Sequence, residues 1–231
     1  MSQLKLVNKL EELLSTSAET GNYTDTVKLL TDMFEMNPTE SLYSFYLGLV
    51  LVRTKNYQSG IKYLEQAKNA KLDPGQRLRC LIFLGKAYAD VKAYSKAERA
   101  FREALQTGVP EPGAYSALGA IFYERNMVNQ AIDALRKALE IDPNYVGAIN
   151  NLGYILVETK KDIAQGVSLC RKAVKLDPEN PAYRDSLGKA LFDNKLYDEA
   201  KEELEIAMKL SPNNEIIIKR YKSVLEKMEG K

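Results

Sequence analysis

Five Leu-Gly pairs recur along this chain, at Leu47-Gly48, Leu84-Gly85, Leu118-Gly119, Leu152-Gly153 and Leu187-Gly188, with the glycines 37, 34, 34 and 35 residues apart. A fixed period in the thirties marks a stack of one supersecondary unit, because a unit that short cannot bury its apolar face alone and needs a neighbour to cover it. Contacts then pass between neighbours and the core grows with copy number, so the 231 residues need not split into separate globular cores. Stacks of this kind usually work by binding, and the chain reads as an interaction scaffold before any catalytic residue is sought.

Composition excludes more than it selects. Apolar content of 45% and charged content of 28% are those of an ordinary globular protein, and a net charge of +2 gives no general pull toward nucleic acid or an anionic membrane. No window holds the roughly 18 apolar residues a spanning helix needs. The first residues are charged throughout, without an apolar secretory core, so a cytoplasmic location is expected, with no membrane insertion. Cys80 and Cys170 lack CxxC spacing and lie almost three copies apart, beyond disulfide reach in a stack rising about 10 Å per layer. Both are expected to be packed thiols.

Numbering each copy so that the glycine is position 8 gives six copies, starting at residues 7, 41, 78, 112, 146 and 181. The fourth is the most complete, with Tyr115, Leu118, Gly119, Phe122, Ala131, Leu135, Ala138 and Pro143 at positions 4, 7, 8, 11, 20, 24, 27 and 32. This pattern resembles the tetratricopeptide repeat family at every marked position. The sixth copy lacks only the aromatic (Arg184), and the third has its proline one place late at Pro110. The fifth carries an extra residue near Lys160–Asp162 and Gly166 in place of alanine, and the second closes two places late at Pro74. The first is degenerate, with Leu14, Ser17 and Thr26 where glycine, an aromatic and alanine belong. The resemblance implies an all-α, right-handed α-solenoid of helix-turn-helix repeats over 7–40, 41–77, 78–111, 112–145, 146–180 and 181–214, followed by a capping helix and tail over 215–231.

The physics supports the same reading without the family. Apolar residues at positions 4, 7 and 11 line one face of a first helix, and those at 24 and 27 a face of a second. Small residues at 8 and 20 let the two backbones approach closely. Polar turns such as Lys55-Asn56-Tyr57, Lys92-Ala93-Tyr94 and Lys195-Leu196-Tyr197 separate them. Capping side chains are expected next, at Thr24, Ser95, Asn129 and Asp198, with Ser95 and Glu98 spaced as a capping box. Asp-Pro or Asn-Pro ends the second helix, since the residue before proline is pushed out of helical geometry. The last apolar face needs a cover, which residues 215–229 supply through Ile217, Ile218, Tyr221, Val224, Leu225 and Met228.

In the family the first helices line a concave groove through positions 2, 5, 9, 12 and 13. Those positions make Leu42, Phe45, Leu49, Val52, Arg53, Ile82, Lys86, Tyr123, Asn150 and Tyr154 the candidate partner-binding residues. The second copy stands out because residues 41–52 carry no charge, so Leu42, Phe45, Leu49 and Val52 are surplus to the stacking face of Tyr43, Leu47, Val50 and Leu51. Three covers are open: a partner's peptide or helix, a second copy of the chain, or the chain's own first segment. Tyr123 and Tyr154 would offer large contact area at low entropy cost, or else merely cover neighbouring helices.

Other functions lack their residues. The chain has no histidine, which removes the commonest general base and His-based metal ligation, and no phosphate-binding glycine loop. No enzymatic activity, metal or cofactor is expected. An RNA-reading groove should be basic, whereas the groove positions include Glu11, Asp90, Glu124, Glu158, Asp185 and Asp193. The lysine and asparagine set with which some relatives clamp a terminal carboxylate is also missing, since Ser116, Ala120, Ala182 and Ser186 surround Asn151 in place of its partners. What remains is a protein-binding adaptor holding a peptide or helix in its groove, with a self-assembling scaffold as the alternative and an RNA-binding helical repeat as a distant one.

Overall fold

The computed structural model describes residues 3–230, and these contain thirteen α-helices and no strand. Six helices form an N-terminal compact unit: α1 (Gln3–Thr20), α2 (Thr24–Met36), α3 (Ser41–Arg53), α4 (Tyr57–Lys68), α5 (Pro74–Asp90) and α6 (Tyr94–Leu105). Seven form a C-terminal unit: α7 (Pro112–Glu124), α8 (Val128–Ile141), α9 (Val146–Glu158), α10 (Ile163–Leu176), α11 (Pro181–Asp193), α12 (Tyr197–Leu210) and α13 (Glu215–Glu229). Odd- and even-numbered helices pair as antiparallel hairpins, so the architecture is an all-α stack of helix-turn-helix elements.

The repeated glycines set how close the paired helices come. A Cβ on Gly48 would lie 2.6 Å from Leu64 Cγ, on Gly85 2.7 Å from the Phe101 ring, and on Gly188 2.6 Å from Leu204 Cγ. Each of these partners is fully buried and stands at position 24 of its own copy, so the glycine is the seat for the second helix's main core side chain. The two glycines at position 20 work in the opposite direction. A Cβ on Gly60 would meet Val52 Cγ2 at 2.7 Å, and one on Gly166 would meet Val157 Cγ2 at 2.5 Å.

Five hairpin turns share one hydrogen-bond pattern. In the first, Asn56 N–H donates to the Leu51 carbonyl at 2.8 Å and Lys55 N–H to that of Val52 at 3.1 Å, the paired bonds of a Schellman ending. The same pairs recur from Ala93 and Lys92, Met127 and Asn126, Lys161 and Lys160, and Leu196 and Lys195. Lys55, Lys92, Asn126, Lys160 and Lys195 therefore adopt left-handed backbone, at φ values of 63°, 58°, 60°, 52° and 64°.

This turn overturns the expected caps. Helices α2, α6, α8 and α12 begin at Thr24, Tyr94, Val128 and Tyr197, and their N-cap residues Tyr23, Ala93, Met127 and Leu196 make no side-chain capping bond. Thr24, Ser95, Asn129 and Asp198 fall inside the first turn instead. At α6, α8 and α12 the N-cap residue is also the closing residue of the preceding Schellman bonds, so its backbone is already fixed without a capping side chain. The extra residue of the fifth copy breaks this economy, and there Asp162 does cap, accepting from Gln165 N–H at 2.9 Å. Pro74 also departs from expectation. It opens α5 rather than closing the preceding helix, behind an Asp73–Gln76 capping box. Elsewhere the pre-proline residues Asn37, Asp142, Asp177 and Ser211 leave helical geometry and end their helices.

Two first helices are enclosed. Helix α3 packs against α1, α2, α4 and α5, and α9 against α7, α8, α10 and α11. Helix α13 closes the C-terminal unit: Ile217 and Val224 are buried against the α10–α12 core, with Tyr221 and Met228 beside them. Cys80 and Cys170 are free and fully buried, and burial pushes both thiols up to about 12.

Candidate functional site

The N-terminal unit changes the expected site most. Leu42, Phe45, Leu49 and Val52 are at most 7% exposed, so they are interior residues rather than a partner surface in this structure. The four neighbours of α3 account for this, and the cover is the chain itself. Val52 fills the space left by Gly60 inside its own hairpin. Phe45 lies beneath the Arg79 guanidinium, 5.9 Å from its ring centre. Glu11 on α1 joins the layers by accepting from Tyr46 OH at 2.6 Å and from Arg79 at 2.7 Å. Burial first, then the bond to Glu11, raises the Tyr46 hydroxyl's pKa. Buried Leu6, Leu10 and Leu14 give α1 an apolar stripe at a spacing of four. With α3 enclosed, the reason for expecting a second copy of the chain over its stripe disappears.

Arg53 and Lys86 stay exposed and Ile82 is half-buried. Both cations approach the ring of half-buried Phe83, each 5.6 Å from its centre. Phe83 was missed in the sequence because it occupies position 6, outside the groove positions.

In the C-terminal unit the expected residues converge. Tyr123 on α7 and Tyr154 on α9 meet edge to face, with ring centres 6.2 Å apart. Arg220 on α13 reaches back over Tyr154, 5.7 Å from the ring centre and 3.3 Å from the hydroxyl, while also pairing with Asp185 on α11. Lys189 on α11 bridges Glu158 at 2.9 Å and Asp193 at 2.5 Å. Burial works against the Lys189 charge, but these two carboxylates outweigh it and hold its pKa above the ordinary lysine value. Asp185 is pushed up by burial, with Arg220 opposing. Asn150 is buried, and its Oδ1, like Asp185 Oδ1, has no hydrogen-bond partner in the protein. Arg220 lies in the capping helix and so fell outside the groove positions. A cavity of about 390 Å³ opens on the same side, between α11, α12 and α13.

Sequence models described as "TPR repeat" match residues 119–159 and as "Tetratricopeptide repeat" match 146–180 and 183–214. A model of subunit 3 of the anaphase-promoting complex, or cyclosome, matches 19–104. The chain has the tetratricopeptide-repeat fold. Among curated proteins, this repeat chain is 30% identical over 119 residues to the uncharacterized protein ycf37 of Pyropia yezoensis, covering 48% of the chain and 66% of that protein. It is 22% identical to the TPR repeat-containing protein YpiA of Bacillus subtilis, over 89% of the chain and 48% of YpiA. A human RANBP2-like and GRIP domain-containing protein is 27% identical over 49% of the chain, which spans 6% of that protein. The chain thus spans two thirds or less of each relative's length.

Solved structures agree on the fold. The APC/C Cut9–Hcn1 structure superposes with a TM-score of 0.73 at 14% identity, over 95% of this chain and 40% of that one. TTC0263 of Thermus thermophilus gives 0.65 at 17% identity, over 80% and 98%, and YrrB gives 0.56 at 18% identity, over 84% and 97%. Among the described residues no cluster of three or more His, Cys, Asp or Glu could hold a metal ion. No described helix is long and apolar enough to cross a membrane.

Proposed function

We propose that this chain is a protein-interaction scaffold that holds a partner's peptide segment on the face formed by α7, α9, α11 and α13. The observation that carries this reading is the convergence of Tyr123, Tyr154 and Arg220 from three helices. The aromatic pair offers area whose ordering cost is already met, because the rings hold each other and Arg220 holds one of them. Of the residues expected to bind, Tyr123 and Tyr154 keep that role and Lys189 and Arg220 join them, whereas Asn150, at 7% exposure, is an interior residue like Val52. Arg53 and Lys86, both over the Phe83 ring, form with half-buried Ile82 a second contact patch on the N-terminal unit. YrrB, which shares the fold, is described as a TPR protein with an unusual peptide-binding site, in keeping with this use.

A displayed peptide library selected on the purified chain tests the reading. Selected peptides should lose about tenfold or more in affinity on Tyr154→Ala, as central aromatic contacts do. The variant's thermal unfolding should stay near that of the parent. Selected peptides that bind Tyr154→Ala and Arg220→Ala as tightly as the parent would remove this face as the site.

A further inference from the structure

The cavity between α11, α12 and α13 shares Lys189 and Arg220 with the tyrosine face, but its apolar walls take no part in those contacts. Its walls are apolar: Phe192 from α11, Leu204 from α12, and Ile216 and Val224 from α13. Leu204 and Val224 are at most 1% exposed and fixed by the core, while Ile216 stands 62% exposed. At about 390 Å³ it lies toward the small end of ligand pockets and suits one bulky side chain rather than a cofactor. Three cations and no carboxylate line it. Two of the cations are engaged, Lys189 by Glu158 and Asp193 and Arg220 by Asp185. Lys219 makes no ion pair among the described residues, so its ammonium is the uncommitted charge of an apolar cavity. An acidic neighbour of the occupant would therefore gain Lys219 as a partner, and a basic one would be repelled by it.

We propose that this cavity takes a bulky apolar side chain of a partner peptide carrying Asp or Glu two positions away. The spacing follows from extended backbone, in which residues i and i+2 face the same side, so one enters the cavity while the other reaches Lys219. This inference rests on the peptide-scaffold reading and supplies what that reading lacks, the chemistry of the segment.

The probe is the amidated peptide acetyl-Glu-Ser-Phe-Ser-Glu, whose only carboxylates are side chains, followed by amide and methyl NMR on the full chain. Controls replace Phe by Ala, or both Glu by Lys. The expected result is perturbation of Ile216, Ser223 and Val224 by the Phe–Glu peptide, with the Ala peptide weaker by roughly tenfold or more, as loss of a group from an apolar pocket gives. Ser223 is exposed and its hydroxyl bonds only its own helix, at the Lys219 carbonyl, so Ser223→Trp should fold and block the cavity. Lys219→Glu should weaken the Glu peptide by about fivefold and favour the Lys peptide, as reversal of a rim charge does. Equal binding of the Glu and Lys peptides would overturn the acidic requirement. Perturbation confined to Tyr123 and Tyr154 would overturn the cavity and leave the scaffold reading standing. No perturbation by any peptide at millimolar concentration would also overturn the cavity, and the library selection would then judge the scaffold reading separately.

Discussion

At the scale of single residues, two conformational demands recur down the chain, and only one shows in the sequence. The position-8 glycines are visible because close approach of the two helices leaves no room for a side chain in five of the six copies. Gly85 is the sharpest case: an added Cβ would meet three Phe101 ring atoms at 2.7–2.8 Å, and that ring is fully buried. Gly85→Ala should therefore destabilise by about 2 kcal/mol despite alanine's better helix propensity, read as a lower urea midpoint at unchanged slope. The left-handed turn residues were not visible. A lysine at Lys55, Lys92 or Lys195 looks like any solvated surface lysine, and its φ is set by hydrogen bonds from the residues around it. A non-glycine residue there costs roughly 1–2 kcal/mol of backbone strain. Lys92→Gly should relieve part of this and stabilise by about 0.5–1 kcal/mol, net of glycine's greater unfolded-state freedom, measured in the same titration.

At the scale of elements, helix existence and pairing were legible, while helix starts and the cover on α3 were not. Propensity and apolar spacing give α13 at Glu215–Glu229, which needs no knowledge of its neighbours. Ser95 followed by Glu98 has the letters of a capping box, but the preceding turn places the start of α6 at Tyr94 and leaves Ser95 without that task. Asp73 and Gln76 have the real box. Asp73→Ala should cost about 1 kcal/mol and Ser95→Ala less than about 0.5, a contrast that two denaturation curves resolve. The stripe on α3 stands out in the sequence as surplus apolar surface, but its cover lies in residues far away along the chain. Burial against α1 depends on Glu11 meeting Tyr46 and Arg79 across 35 and 68 residues of sequence. Glu11→Ala would leave a fully buried tyrosine hydroxyl without its acceptor. It should destabilise by about 1–3 kcal/mol and speed amide exchange in α1, whereas Arg79→Ala, losing a pair that is a third exposed, should cost about 1 kcal/mol or less.

For the whole molecule, each compact unit carries one fully buried cysteine, Cys80 in the first and Cys170 in the second. Their folded pKa values near 12 exceed the ordinary thiol value of 9.0, so the protonated native form is favoured. Their stability contribution is fully present below about pH 9 and is lost as pH rises toward 12, at up to roughly 1.4 kcal/mol per pH unit for each thiol. Below that window both thiols are inert while folded, and alkylation at pH 8 reports opening of the unit that holds each one. The two units are not built equally. The first hairpin carries Leu14 in place of glycine and a Ser17–Thr26 hydroxyl contact at 2.5 Å in place of an apolar crossing, so the N-terminal unit contains the weakest helix pair. The C-terminal unit instead ends on a helix that buries Ile217 and Val224 into its core. Repeat stacks lose structure from their weakest neighbour contacts. Cys80 should thus be alkylated at lower urea than Cys170, with peptide mass spectrometry after a brief iodoacetamide pulse separating the two sites. Coincident labelling of both cysteines across the transition would mean that the chain unfolds as one cooperative block and that the first hairpin does not set its stability.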